Sequence, residues 1–171
     1  MSTEEHNLEE PQSTKPLNEH AWLHSFVGEW ELESTITMGP DAPAEVLPGV
    51  EKAEMFGDLW IWAEGSGEMP GGHGNSRYKM GLGYDVSFKE YRGCFVSDMS
   101  SHLWKYIGEL SEDGRTMTLV CEGPDMMKEG ETALYKDIHH LIDENHRTMT
   151  SEFQDPEGNW VQFQVVKYTR K

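Results

Sequence analysis

Glu29-Trp30-Glu31-Leu32-Glu33-Ser34-Thr35-Ile36 is the stretch whose reading decides the fold. Trp30, Leu32, Ser34 and Ile36 fall on one side, and Glu29, Glu31, Glu33 and Thr35 on the other. Successive side chains of a strand point to opposite faces, so a period of two with one dry face reads as a half-covered strand. Just upstream the texture differs. Asn18 is placed to cap a short helix through Phe26, whose apolar residues Ala21, Trp22, Leu23, Phe26 and Val27 crowd one side. One helix of that length builds no core and must lie against something else. Residues 1–17, rich in Glu, Ser, Thr and Pro, are expected to be a disordered acidic leader, with a single domain over 18–171.

Downstream, a Pro- and Gly-rich loop is expected over Gly39 to Gly49. Strand-like runs follow at Glu51–Phe56, Asp58–Gly67, Arg77–Asp85, Tyr91–Met99, Leu103–Ser111, Arg115–Glu122, Thr132–Asp143, His146–Gln154 and Trp160–Arg170. Asp113-Gly114 and Asp155-Pro156-Glu157-Gly158 carry turn chemistry, and Asp143-Glu144-Asn145 does so more weakly. Links this short force antiparallel neighbours, because a parallel pair needs a crossover of about a dozen residues or more. About ten strands then stack as two sheets or close into a barrel, and closure removes edges that invite aggregation. Trp60 and Trp62 oppose Leu59 and Ile61, while Trp104 and Tyr106 oppose Leu103 and Ile107. Bulky residues on both faces fit an apolar-lined wall partly covered outside by the helix. The fold class read from the sequence is therefore an all-β antiparallel barrel of about ten strands with one short N-terminal helix.

Charge narrows the partners. Against 14 Lys and Arg stand 31 Asp and Glu, a formal net charge of -17. Such a surface repels phosphate backbones and anionic lipid, so neither nucleic acid nor membrane is expected as a partner, whereas a cation is electrostatically acceptable. Cys94 and Cys121 are the only cysteines. Free thiols in a reducing compartment are expected, since a disulfide scaffold is denser. The N-terminus lacks a basic start followed by an apolar run, and no stretch has transmembrane length, which makes the cytoplasm the expected location.

Val27-Gly28-Glu29-Trp30-Glu31 after a short helix resembles the Gly-X-Trp start of calycin-type barrels. Gly83-Tyr84-Asp85, Lys89, Tyr91 and Asp98-Met99-Ser100-Ser101-His102-Leu103-Trp104 carry a more specific pattern. Gly108, Thr116-Met117-Thr118-Leu119, Glu122-Gly123-Pro124 and the closing Tyr168-Thr169-Arg170-Lys171 extend it. Together they resemble the bacterial family labelled domain of unknown function 1579, from about His20 to the last residue. The resemblance implies a calycin-like barrel, akin to lipocalins and fatty-acid carriers, with a cavity. It implies no reaction.

The function expected is noncatalytic binding of a small, largely apolar molecule inside the barrel, with Trp60, Trp62, Tyr84, Trp104, Tyr106 and Tyr135 lining it. Arg77 and Asp98 are the expected polar anchors, paired across neighbouring strands. Ten Met residues, including Met126-Met127, suit either a loosely packed core or a cavity that adapts to a flexible guest. Two other readings stand beside it: a hydrolase or isomerase acting through Asp98, His102 and Glu122, and a module that forms homo-oligomers through exposed Trp and Tyr. No cofactor is expected. His20 and His24 have zinc-compatible i, i+4 spacing but no clustered Cys or carboxylates, and His139 and His140 point to opposite faces of a strand. Some calycin-like barrels resembling the nitrobindin group hold haem through a His near the C-terminus. Trp160 to Arg170 contains none.

Overall fold

The computed structural model describes residues 13–171 except Met38 and Pro40. Most of the expected leader lies outside the described residues, and 13–17 are exposed and without regular structure. Helix α1 (Asn18–Trp22) runs into a 3-10 turn, Leu23–Phe26. Ten strands follow: β1 Gly28–Ile36, β2 Glu45–Phe56, β3 Trp60–Glu68, β4 Asn75–Asp85, β5 Glu90–Ser97, β6 Ser100–Leu110, β7 Thr116–Pro124, β8 Thr132–Leu141, β9 His146–Gln154 and β10 Trp160–Arg170. Each pairs antiparallel with its neighbour in sequence, and β1 pairs with β10 from Trp30↔Arg170 to Ile36↔Gln164, closing the barrel. The fold class read from periodicity is the one observed.

Two local expectations are corrected. The helix cap is Leu17 rather than Asn18, and the Leu17 N–H donates to His20 Nδ1 at 2.9 Å. The expected loop over Gly39 to Gly49 is half strand, because β2 begins at Glu45 and pairs along β1 through Val46, Leu47 and Pro48. Pro48 has no N–H to give to a second neighbour. Pairing with β3 accordingly starts one residue later, at Gly49↔Gly67.

Alternation assigns the faces. Trp30, Glu51, Ile61, Ala63, Leu82, Tyr106, Leu119, Tyr135, Arg147 and Tyr168 point inward. The helix does not cover the outer wall. It stops one end of the barrel: Leu23 and Phe26, both 0% exposed, pack on inward residues such as Ala53, Ile61 and Leu82. Four hydrogen bonds pin this plug. Trp22 Nε1 donates to the Gly114 carbonyl at 2.7 Å, Tyr91 Oη to the Glu19 carbonyl at 2.9 Å, and Trp30 Nε1 to the Phe26 carbonyl at 2.9 Å. His20 Nε2 lies 3.1 Å from the Tyr84 carbonyl.

Both cysteines are free. Cys94 pairs with Gly81 on the outer face, and Cys121 is buried on the inner face, where burial pushes its thiol up to about 12. No described helix is long and apolar enough to cross a membrane.

Candidate functional site

The end opposite the plug is a different environment. At the plug, Ile61, Leu82, Met117 and Leu119 are 0% exposed. Toward the other end the inward residues Leu32, Phe95, Trp104, Ala133 and Phe153 all retain exposed area. Asp137, on the same inner face as Tyr135 and held by the buried Tyr106 and Ser151, also keeps exposed area. Stopped by α1 at one end and less tightly filled at the other, the interior has the outline of a cup.

Three inner faces build its lining in two layers. On β6, β8 and β9 the pairs Trp104/Tyr106, Tyr135/Asp137 and Phe153/Ser151 stand two residues apart, so each pair shares the inner face at successive depths. The upper layer is an aromatic collar. Trp104 meets Tyr135 edge-on with ring centroids 5.0 Å apart, and Phe153 and Phe163 lie 6.5 and 6.4 Å from Tyr135. Gly123 makes room for the Trp104 indole, since a Cβ there would sit 2.1 Å from the ring. Phe163 occupies the β10 bulge between Gln162 and Gln164, which aims an extra side chain at the collar. The lower layer is polar: Asp137 accepts hydrogen bonds at 2.5 Å from both Tyr106 Oη and Ser151 Oγ.

Near the plug a second buried group crosses the interior. Arg147 pairs with Glu51, and the other Glu51 oxygen accepts from Tyr78 Oη at 2.6 Å. Tyr168, Phe26 and Trp30 surround the guanidinium at 3.6, 4.6 and 4.9 Å from their ring centres. His139 lies against Arg147, and burial followed by that positive neighbour lowers its pKa to about 3, so it is neutral.

The residues singled out from sequence divide cleanly. Trp104, Tyr106 and Tyr135 meet in the cup. Tyr84 also faces inward, but at the plug, edge-on to Tyr91 and His20. Trp60 and Trp62 do not line the interior. They are 38% and 43% exposed on the outer face, each against a glycine of β4: Trp60 over Gly83 and Trp62 over Gly81. A flat ring covering a cross-strand glycine replaces the packing that the glycine lacks. Arg77 and Asp98 do pair, at 3.1 Å, but on the outside of the rim. The Arg77 backbone N–H and then its side chain hold the Asp98 carboxyl below the usual carboxylate range. Asp98, His102 and Glu122 are not assembled. Asp98 binds Arg77, the His102 ring faces the Glu122 backbone carbonyl at 3.0 Å, and the Glu122 carboxylate accepts from Thr132. Among the described residues no three His, Cys, Asp or Glu side chains are grouped to hold a metal ion.

A hollow of about 740 Å³ lies elsewhere, along β1–β5, and most of its lining points outward. Lys52, Glu64, Arg77, Lys79 and Asp98 border it, and these charges are paired with one another or with Glu54. Its open side, bordered by paired surface charges, encloses a guest less than a barrel interior does. The cup has the better chemistry.

Sequence reasoning missed Asp137, Ser151, Phe153 and Phe163 as cup residues. Alternation alone could have found the first three, since Asp137 shares a face with Tyr135. Asp137 also sets a pH dependence. Desolvation raises its carboxyl above the ordinary 3.8, outweighing the two hydroxyl donors. The folded state then binds this proton more tightly than the unfolded chain, so the group's contribution to stability falls as pH rises through a window beginning near 3.8. Relative to Asp137→Asn, the native protein should gain stability between pH 7 and pH 4. Urea midpoints of both proteins at the two pH values check this, and parallel midpoints would contradict it.

This arrangement defines a class, a closed ten-stranded antiparallel barrel with a stoppered, cup-like interior. The family follows from the chain itself: residues 15–170 match the family described as "Protein of unknown function (DUF1579)", and the chain belongs to that family. Among solved structures it is similar to the S-type phycobiliprotein lyase CPES from Guillardia theta. The two are 13% identical with a TM-score of 0.60, over 89% of this chain and 92% of that one. It is also similar to a redesigned beta barrel, 9% identical with a TM-score of 0.45, over 87% and 94% of the two chains. No curated protein matches.

Proposed function

We propose that the protein binds one small, largely apolar molecule in the cup, without catalysis. The observation that carries this reading is the aromatic collar around the buried Tyr135, in which Trp104, Phe153 and Phe163 face inward yet stay partly exposed. Apolar walls with a few convergent polar groups are what a small-molecule site requires. Scattered acids without a shared pocket favour binding over acid-base chemistry. The likeness to the phycobiliprotein lyase supports the fold alone; the reading rests on the lining. The single-domain organisation over 18–171 and the acidic leader remain part of the proposal.

Titration with the neutral, environment-sensitive dye Nile red tests it. One dye should bind per chain, with blue-shifted emission and quenching of tryptophan fluorescence. Ala133→Trp, at a half-buried inward position beside the collar, should remove binding, and Trp62→Ala on the outer wall should leave it intact. Equal binding by both variants would place the dye outside the barrel and end the reading.

A further inference from the structure

The cup has a sign. Asp137 lies one layer below the collar, its two oxygens each accept from a hydroxyl, and no Lys, Arg or His among the described residues forms a salt bridge with it. The guanidinium nearer the plug, Arg147, is already paired with Glu51 and enclosed by aromatic rings. A guest with a carboxylate head would therefore bring its charge to the only unpaired ion of this layer, which has the same sign. A guest with an ammonium head meets the opposite case.

The collar works in the same direction. The face of a Trp or Tyr ring is the negative side of its quadrupole and attracts a cation, and a cation held over such a face with a carboxylate behind it is doubly stabilised. A carboxylate oxygen has more lone pairs than one hydroxyl donor uses, so Asp137 retains acceptor capacity toward the cup. The net charge of -17 raises the local concentration of cations and lowers that of anions around the mouth.

Resting on the reading of the cup as a ligand site, we infer that its guest is an organic cation: an apolar body carrying a protonated amine that sits inside the collar and donates to Asp137. Fatty-acid anions are excluded by the same geometry. The guest stays bound through contacts alone, with no covalent step.

Three decyl compounds of equal length, decylammonium, decanol and decanoate, separate this inference from the reading beneath it. Each displaces Nile red from the intact protein in 0.5 M NaCl, where attraction to the outer surface is screened. Decylammonium should bind about tenfold more tightly than decanol, and decanoate more weakly than either. Asp137→Asn should lose the amine preference while its affinity for decanol stays within about twofold, the latter reporting an intact cup. Displacement by decanol with no advantage for the amine, or a preference for decanoate, overturns the inference and leaves the cup. A preference that survives Asp137→Asn overturns it too, by moving the cation elsewhere. No binding of Nile red or of any decyl compound overturns both. The ranking in the native protein decides the matter even where the variant folds poorly.

Discussion

Replacing Arg147 by Met should cost about 3–5 kcal/mol of folding stability, a large share of the total that a single domain has. The physical reason is the isolation of Glu51. Arg147 is 1% and Glu51 5% exposed, and the described pairings of Glu51 are to this guanidinium and to the Tyr78 hydroxyl. Without the guanidinium a carboxylate is left in the interior with one neutral donor. Arg147→Met combined with Glu51→Gln removes both charges yet keeps an acceptor for Tyr78 Oη, and it should recover most of the loss. Urea unfolding of the two single variants and the double variant closes the cycle. A loss below about 1 kcal/mol for Arg147→Met, or a double variant no better than the single, would show that the pair is not the electrostatic tie described here.

Gly93→Ala should be the costliest single methyl in the wall, at about 3 kcal/mol or more. A Cβ at Gly93 would sit 2.3 Å from the Gly81 carbonyl oxygen, a backbone atom fixed in the β4–β5 pairing. Gly81 itself is the contrast. The nearest atoms to a Cβ there belong to the Trp62 ring, at 3.0 Å on the outer face, where an exposed side chain has room to give. Gly81→Ala should therefore cost less than Gly93→Ala by at least about 1 kcal/mol, although the two glycines lie on adjacent strands. Thermal and urea unfolding of both variants check the order. An equal loss would mean that the wall at Gly93 yields as easily as an indole.

How much of this could be read beforehand follows from which signals are local. Strand periodicity is local, so β9 and β10 begin and end where the residues say, and β1 presents Trp30, Leu32, Ser34 and Ile36 inward. The short turns at Asp113-Gly114 and Asp155 to Gly158 are local as well, with Gly114 and Gly158 at φ 68° and 87°. The direction of a face is not local. In β3 the larger residues Trp60 and Trp62 face solvent while Ile61 and Ala63 face the core. Size suggested the reverse, and only the glycines opposite on β4 explain the outcome. The place of Asp137 stayed hidden for the same reason. Its meaning comes from Tyr106 and Ser151, 31 and 14 positions away, which closure of the sheet brings to one place. The Arg77–Asp98 pair was legible as a pair, but the side of the wall it occupies depends on register.

The seam between β1 and β10 sets the order in which the molecule can be completed. Every other ladder joins strands adjacent along the chain, so hairpins are free to zip one after another as the polypeptide leaves the ribosome. Trp30, by contrast, waits for Arg170. Until β10 is made, β1 keeps a bare edge and the wall stays open. A chaperone that shields that edge would act until β10 is made, and the ligand proposed above could be enclosed only after that closure.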